Sequence, residues 1–137
     1  MNSGLVLIID DDVAMAEAVQ DMLQAAGHST AVACTGFHGL KLAREVKPSV
    51  IVCDMQMPNM TGTDVFHALA SDPATAHIPR VLMTGYIDAD RSCANAFLLK
   101  PFEPHQIVEM MKRVISTSSK ASTPKKRELV ADAHWRG

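Results

Sequence analysis

Short apolar runs alternate with longer amphipathic stretches along most of this chain. The runs are rich in Val, Ile and Leu, which is typical of strands buried on both faces of a parallel sheet. Five runs are predicted as strands, and the second is the weakest: residues 5–9, 29–34, 50–53, 80–83 and 96–99. Because helical patterns separate these runs, the sequence predicts an α/β fold built from βαβ units.

The stretches between the predicted strands carry helix signals. In the first stretch, apolar residues recur every three or four positions, Asp12 stands where an N-cap would, and Gly27 stands where a helix would end. The last stretch keeps the same spacing as far as Ile115. Five strands and about five helices fit a flavodoxin-like three-layer sandwich, with a parallel sheet of order 2-1-3-4-5 and helices on both faces.

Four of the predicted strands end abruptly in polar residues. These residues are Asp10-Asp11-Asp12, Asp54, Thr84 and Lys100. In a parallel sheet the carboxyl ends of the strands share one edge, and ligands bind in the crevice outside it. We therefore expect three or four carboxylates, one hydroxyl and one ammonium group to meet in one pocket, with helix capping as the favoured role of Asp12.

The expected pocket has the chemistry of a site for phosphate and a divalent cation. Carboxylates as close as those of Asp10, Asp11 and Asp54 would raise one another's pKa unless a cation neutralised them. Hard oxygen ligands suit Mg²⁺, which is usually held by one or two carboxylates together with phosphate oxygens. With a carboxylate nucleophile at its centre, and Thr84 and Lys100 beside it, such a pocket can support in-line phosphoryl transfer.

Charge is divided unevenly between the predicted domain and the end of the chain. Residues 1–115 carry 8 Lys and Arg against 13 Asp and Glu, a net charge of −5, whereas residues 116–137 carry 5 against 2, a net charge of +3. We predict a folded domain over 1–115 and a flexible basic tail, rich in Ser, Thr and Lys, over 116–137. The acidic body argues against a DNA-binding domain. Without a membrane-length apolar stretch or a signal peptide, a cytoplasmic protein is expected.

The motifs at the strand ends resemble a known family. In order along the chain they are Ile8-Ile9-Asp10-Asp11-Asp12, residues 54–62, Thr84-Gly85-Tyr86 and Lys100-Pro101-Phe102. They are similar to the receiver domain of two-component response regulators, and the resemblance covers residues 5–115. It implies a stand-alone, chemotaxis-type receiver that takes part in a phosphorelay, because the tail is too short for an output domain.

The resemblance assigns roles around the phosphoryl acceptor. Asp54 corresponds to the residue that attacks a phosphohistidine or a small phosphodonor and becomes an aspartyl phosphate. Asp11 corresponds to a direct Mg²⁺ ligand and Asp10 to one that acts largely through water, while the backbone carbonyl of Gln56 would complete the metal shell. Gln56 and Tyr86 match positions that tune the lifetime of the acyl phosphate.

Further roles fall on the fourth and fifth strands. By resemblance, Thr84 would bind a phosphoryl oxygen and Lys100 would pair with the acyl phosphate. The Lys100–Pro101 peptide bond is expected to be cis. Phe97 matches the aromatic switch position, where Phe in place of Tyr removes a hydroxyl and any hydrogen bond that it would make.

One stretch departs from the family pattern. Fifteen residues, 85–99, separate Thr84 from Lys100, which leaves 89–95 for a short fourth helix of about two turns, roughly 10 Å long. Receivers usually have a longer helix there, followed by an Ala-Gly-Ala-like turn. The fourth helix, fifth strand and fifth helix form the usual output face and the surface through which a dimer could form.

Three functions remain open at this point. A phosphorylatable receiver would act with a histidine kinase or phosphotransfer protein upstream and an unidentified protein target downstream, without turnover of a separate substrate. A degenerate receiver would act unphosphorylated as an interaction module. A Mg²⁺-dependent phosphohydrolase would need a second acid two residues after the nucleophile, where this chain has Gln56. A flavin-binding flavodoxin is weaker still, because no Ser/Thr-rich phosphate loop follows the first strand.

Overall fold

The computed structural model describes residues 4–85, 94–119 and 129–131. Within these ranges the chain forms six strands and four helices. The strands are β1 (Leu5–Ile9), β2 (Ser29–Ala33), β3 (Val50–Asp54), β4 (Arg80–Thr84), β5 (Ala96–Leu99) and β6 (Leu129–Ala131). The helices are α1 (Val13–Ala25), α2 (Gly36–Val46), α3 (Gly62–Ser71) and α4 (Pro104–Ser119).

All strands pair in parallel in one sheet, with the order β2-β1-β3-β4-β5-β6. The predicted order 2-1-3-4-5 is therefore confirmed for the first five strands. The sheet then continues by one strand beyond β5. This sixth strand lies in the segment 116–137, for which no regular element was predicted.

Two apolar layers flank the sheet, as expected for a three-layer sandwich. Alternate residues of β1 point to opposite faces, so that Val6 and Ile8 pack in one layer while Leu7 and Ile9 pack in the other. The first layer is closed by residues of α1 and α4, and the second by residues of α2 and α3. Among the described residues, no helix is both long and apolar enough to cross a bilayer.

Short polar side chains begin the first three helices. Asp12 caps α1, since its Oδ1 accepts the backbone N–H of Met15 at 3.2 Å, which confirms capping as its role. Thr35 caps α2 in the same way. At α3, Thr61 and Asp64 form a reciprocal capping box. These caps set where each helix starts after the preceding strand.

The structure differs from expectation near the end of the chain. Residues 89–93 of the predicted short fourth helix lie outside the described residues, and Ala94 and Asn95 at its predicted end are not helical. The predicted last helix is α4, which continues past Ile115 to Ser119. Three tail residues form β6 because they pair with the edge of β5. This contact is long-range, and a segment of three residues is too short to show a periodic pattern.

Candidate functional site

Three aspartates meet at the carboxyl edge of the sheet. Ile9 and Cys53 are partners in the β1–β3 register, so Asp10 and Asp54, the next residues, lie at the same level of the sheet edge. One carboxylate oxygen from each of Asp10, Asp11 and Asp54 lies within 4.8 Å of the others. Asp10 and Asp54 are buried and Asp11 is exposed, so the cluster opens to solvent on one side.

A cation and a hydroxyl-bearing residue come to the same edge from β4 and β5. The Lys100 Nζ donates to Asp54 Oδ1 at 2.5 Å, and the Lys100 backbone N–H donates to the Thr84 carbonyl at 2.9 Å. Thr84 is buried at the end of β4, and Met83 beside it is the register partner of Asp54. The strand ends therefore bring together the carboxylates of Asp10, Asp11 and Asp54 and the ammonium group of Lys100. Thr84 ends the neighbouring strand, and the part of its hydroxyl in the site remains a prediction.

Burial perturbs the titration of the Asp10 carboxyl. It raises the pKa of Asp10 from 3.8 to about 6; the charges of Asp54 and Asp11 add to the rise, while the Asp12 N–H and Lys100 oppose it. Repulsion between the aspartates is the cause that the sequence predicts for a raised pKa, and here it contributes less than burial does. Asp10 Oδ1 accepts the Asp12 N–H at 3.0 Å, whereas Oδ2 is buried without a hydrogen-bond partner among the described residues.

This donor set fits a hard divalent cation. An orphaned, buried carboxylate oxygen is costly, and here it points to a ligand that is itself positively charged. Three oxygen donors in one small cluster, with one side open for water, match what Mg²⁺ requires.

The loop after Asp54 forms a second feature of the site. An open cavity of about 510 Å³ is lined by Met55, Gln56, Met57, Pro58 and Thr61. Gln56 is exposed, and the metal-binding role of its carbonyl remains a prediction.

Gly62 is a residue whose part in the site was missed. A Cβ at this position would lie 2.5 Å from the Asp54 carbonyl oxygen, 2.7 Å from Leu82 Cδ1 and 3.0 Å from Met55 Cα. Only glycine therefore allows α3 to start so close to the strand that ends in Asp54. The sequence marks Gly62 as a turn residue, and nothing local in the sequence reports this close approach.

Three further expectations concern the segment from Tyr86 to Pro101. The Lys100–Pro101 peptide bond is cis, as predicted. Phe97 is 4% exposed and packs in the layer closed by α2 and α3; its role as a switch remains a prediction. Tyr86 lies outside the described residues.

Comparison with known proteins agrees with this geometry. Residues 6–112 match the family described as the response regulator receiver domain. The chain belongs to this family. As a receiver domain it is homologous to the response regulators of two-component phosphorelays, and its aspartate cluster is consistent with Mg²⁺-dependent phosphorylation.

Relatives of this receiver domain differ in length. The DNA-binding response regulator MtrA of Mycolicibacterium paratuberculosis is 32% identical over 109 residues, which are 75% of this chain and 47% of that protein. The receiver thus spans about half the length of that relative. The polar-differentiation response regulator DivK of Brucella anthropi is 29% identical over 113 residues, 78% of this chain and 92% of that protein.

A solved structure shows the same fold. The chemotaxis protein CheY4 of Vibrio cholerae superposes with a TM-score of 0.77 at 27% sequence identity, and the match covers 82% of this chain and 99% of that one. The receiver fold is thus shared over nearly the whole of a chemotaxis regulator.

Proposed function

We propose that this receiver is a switch that accepts a phosphoryl group on Asp54 in a Mg²⁺-dependent reaction. The observation that carries the proposal is the position of Asp54, which contacts the Lys100 ammonium group and lies within the cluster formed with Asp10 and Asp11. A carboxylate in this setting has a cation on one side and room for a second on the other. Both charges can stabilise phosphoryl oxygens as the group arrives.

Asp10, Asp11 and Asp54 would hold the metal, and the Gln56 carbonyl would complete its shell. Bound there, Mg²⁺ would offset part of the negative charge of the carboxylates and of the phosphoryl oxygens. The residues themselves do the rest: Lys100 supplies a fixed positive charge and Thr84 a hydroxyl at the neighbouring strand end. This division of tasks needs no general base, because a carboxylate is already deprotonated when it attacks.

The transfer itself is a displacement at phosphorus. A carboxylate oxygen of Asp54 forms the new P–O bond while the P–N bond of a phosphohistidine breaks and the electron pair leaves with the imidazole. With acetyl phosphate, the bond that breaks joins phosphorus to the acetate oxygen. Hydrolysis of the aspartyl phosphate then returns the carboxylate, so the switch resets without a separate substrate.

The two alternatives fit less well. A degenerate receiver has no need for Asp10, Asp11, Asp54, Thr84 and Lys100 to converge. A phosphohydrolase needs an acid where this chain has an exposed Gln56, so we place the protein among switches rather than enzymes.

For partners, we propose a histidine kinase or phosphotransfer protein upstream and a protein target downstream. We also propose that the protein acts in the cytoplasm. The role of Gln56 and Tyr86 in the phosphate lifetime, and that of Phe97 as the switch residue, belong to the same proposal.

Intact mass measurement tests the proposal. The protein is incubated with Mg²⁺ and acetyl phosphate, and we expect the mass of one added phosphoryl group in the wild type. Asp54→Asn should abolish the adduct, and removal of Mg²⁺ with a chelator should do the same. Asp21→Asn, at an exposed position of α1, is the matched control and should keep it. An adduct that survives Asp54→Asn would refute the assignment.

A further inference from the structure

The edge of β5 is occupied by a segment from the far end of the chain. An edge strand normally presents a row of unpaired N–H and C=O groups to which another strand can add. Here Leu129, Val130 and Ala131 of β6 pair in parallel with Ala96, Phe97 and Leu98 of β5, in that order. The connection contains α4, which contacts both strands, so that β5, α4 and β6 form a βαβ unit.

The direction of the β5 amides shows which bonds β6 can make. The Lys100 N–H donates to the Thr84 carbonyl of β4, and amide directions alternate along a strand. The Leu98 N–H therefore faces β4, and the N–H groups of Phe97 and Leu99 face β6. With Phe97 opposite Val130, the parallel ladder links the Phe97 carbonyl to the Ala131 N–H.

This edge is directly connected to the aspartate cluster. β5 has four residues and is followed at once by Lys100, whose amine contacts Asp54. β4 pairs with one side of β5 and β6 with the other. A strand that loses one of its two neighbours opens more readily. Loss of β6 would therefore make the position of Lys100 less rigid.

Charge favours the return of the tail to this edge. Lys125, Lys126 and Arg127 immediately precede Glu128 and β6, in a segment of net charge +3, whereas residues 1–115 carry −5. Opposite net charges on tail and body attract each other at ordinary ionic strength over about 10 Å.

We propose that the β5 edge is a strand-addition surface which the chain covers in cis with its own residues 129–131, and that this cover steadies the strand leading to Lys100. A partner that binds this face through an extended segment would have to displace β6. The covering of the edge stands independently of the proposed function, while the effect on Lys100 rests on it.

Amide hydrogen exchange, followed residue by residue by NMR in the full chain, tests the cover. Ala131→Pro removes the N–H that pairs with Phe97. We expect the Phe97 and Leu99 amides to exchange about tenfold faster or more, while Leu98, bonded to β4, keeps its rate. Ala133→Pro, the same substitution two residues after the end of β6, is the control and should match the wild type. Wild-type rates at Phe97 and Leu99 in Ala131→Pro would overturn the proposal.

Oligomeric state decides whether the cover acts in cis. Sedimentation of the wild type should show a monomer at the concentration used for exchange. A dimer that Ala131→Pro dissociates would mean that a second copy supplies the strand, and would overturn the assignment in cis. Unchanged exchange in β1 and β3 of the variant would show that its fold is intact. Faster exchange there as well would reveal a general loss of structure.

Phosphorylation by acetyl phosphate tests the link to Lys100. We expect Ala131→Pro to slow formation of the adduct about threefold or more, and Ala133→Pro to leave the rate unchanged. Faster exchange combined with an unchanged rate would overturn the steadying of Lys100. If the wild type itself forms no adduct, the proposed function fails, and the exchange result still decides whether β6 covers the edge.

Discussion

The Asp10 carboxyl is 1% exposed, and only one of its two oxygens has a hydrogen-bond partner among the described residues. Its pKa is about 6 in the fold against 3.8 for the ordinary group. Between these values the folded state holds a proton that the unfolded chain releases. The stability that this proton contributes is fully present below about pH 4 and is lost as the pH rises through about 6.

This linkage gives a prediction for Asp10→Asn in metal-free protein. At pH 7.5 the substitution removes a buried charge, so we expect the free energy of unfolding to rise by about 1–3 kcal/mol. Below pH 4 the carboxyl is protonated in both states, and the gain should vanish. Urea denaturation across this pH range measures it, with the exposed Asp21→Asn as control. A variant less stable than the wild type at pH 7.5 would contradict the account.

At the scale of elements, β3 and the start of α3 approach each other so closely that there is no space for a side chain at Gly62. Replacing a glycine inside a helix by alanine normally raises the free energy of unfolding by about 0.5–1 kcal/mol, and at the first position of a helix no large loss is expected. Gly62 should behave in the opposite way, because its added Cβ would meet backbone atoms of Asp54 and Met55.

We therefore predict that Gly62→Ala lowers the free energy of unfolding by about 1–3 kcal/mol. Gly85→Ala is the matched control: it also follows a strand of the site, and a Cβ there meets no atom of the described residues within 4 Å. We expect it to change stability by less than about 0.5 kcal/mol. Chemical denaturation of the two variants decides the matter, and equal stability would show that the loop absorbs the Cβ without strain.

The elements also show how far the sequence predicts this fold. The apolar runs that end at Asp10, Asp54 and Lys100 are local signals, and parallel pairing turns them into one site by a general rule. β6 is different, because three residues in a Ser- and Lys-rich segment carry no pattern and gain structure only from the β5 edge. The close approach at Gly62 and the burial of Asp10 likewise depend on packing between distant segments, which periodicity does not report.

At the scale of the whole molecule, metal binding at the aspartate cluster would link the ends of β1 and β3 to global stability. A ligand that binds only the folded state stabilises it by about 2.7 kcal/mol when its free concentration is about 100 times its Kd. Mg²⁺ at the aspartate cluster should therefore raise the Tm of the wild type.

The same binding should depend on pH, since a proton on Asp10 competes with the metal. We predict that Mg²⁺ affinity is constant well above pH 6 and weakens as the pH falls through about 6. Calorimetric titration at pH 7.5 and pH 5 measures the difference. Asp11→Asn should weaken binding at both values, whereas exposed Asp21→Asn should not. Equal affinity of the wild type at the two pH values would show that Asp10 takes no part in binding.

Asp54, and no other carboxylate of the cluster, is the proposed phosphoryl acceptor at the converging strand ends. Borohydride reduction of the protein treated with Mg²⁺ and acetyl phosphate converts an aspartyl phosphate to homoserine, which peptide mass spectrometry then locates. We predict homoserine at position 54 alone, and none when Mg²⁺ is withheld. Homoserine at position 10 or 11, or none in protein that carries the added phosphoryl mass, would contradict the account.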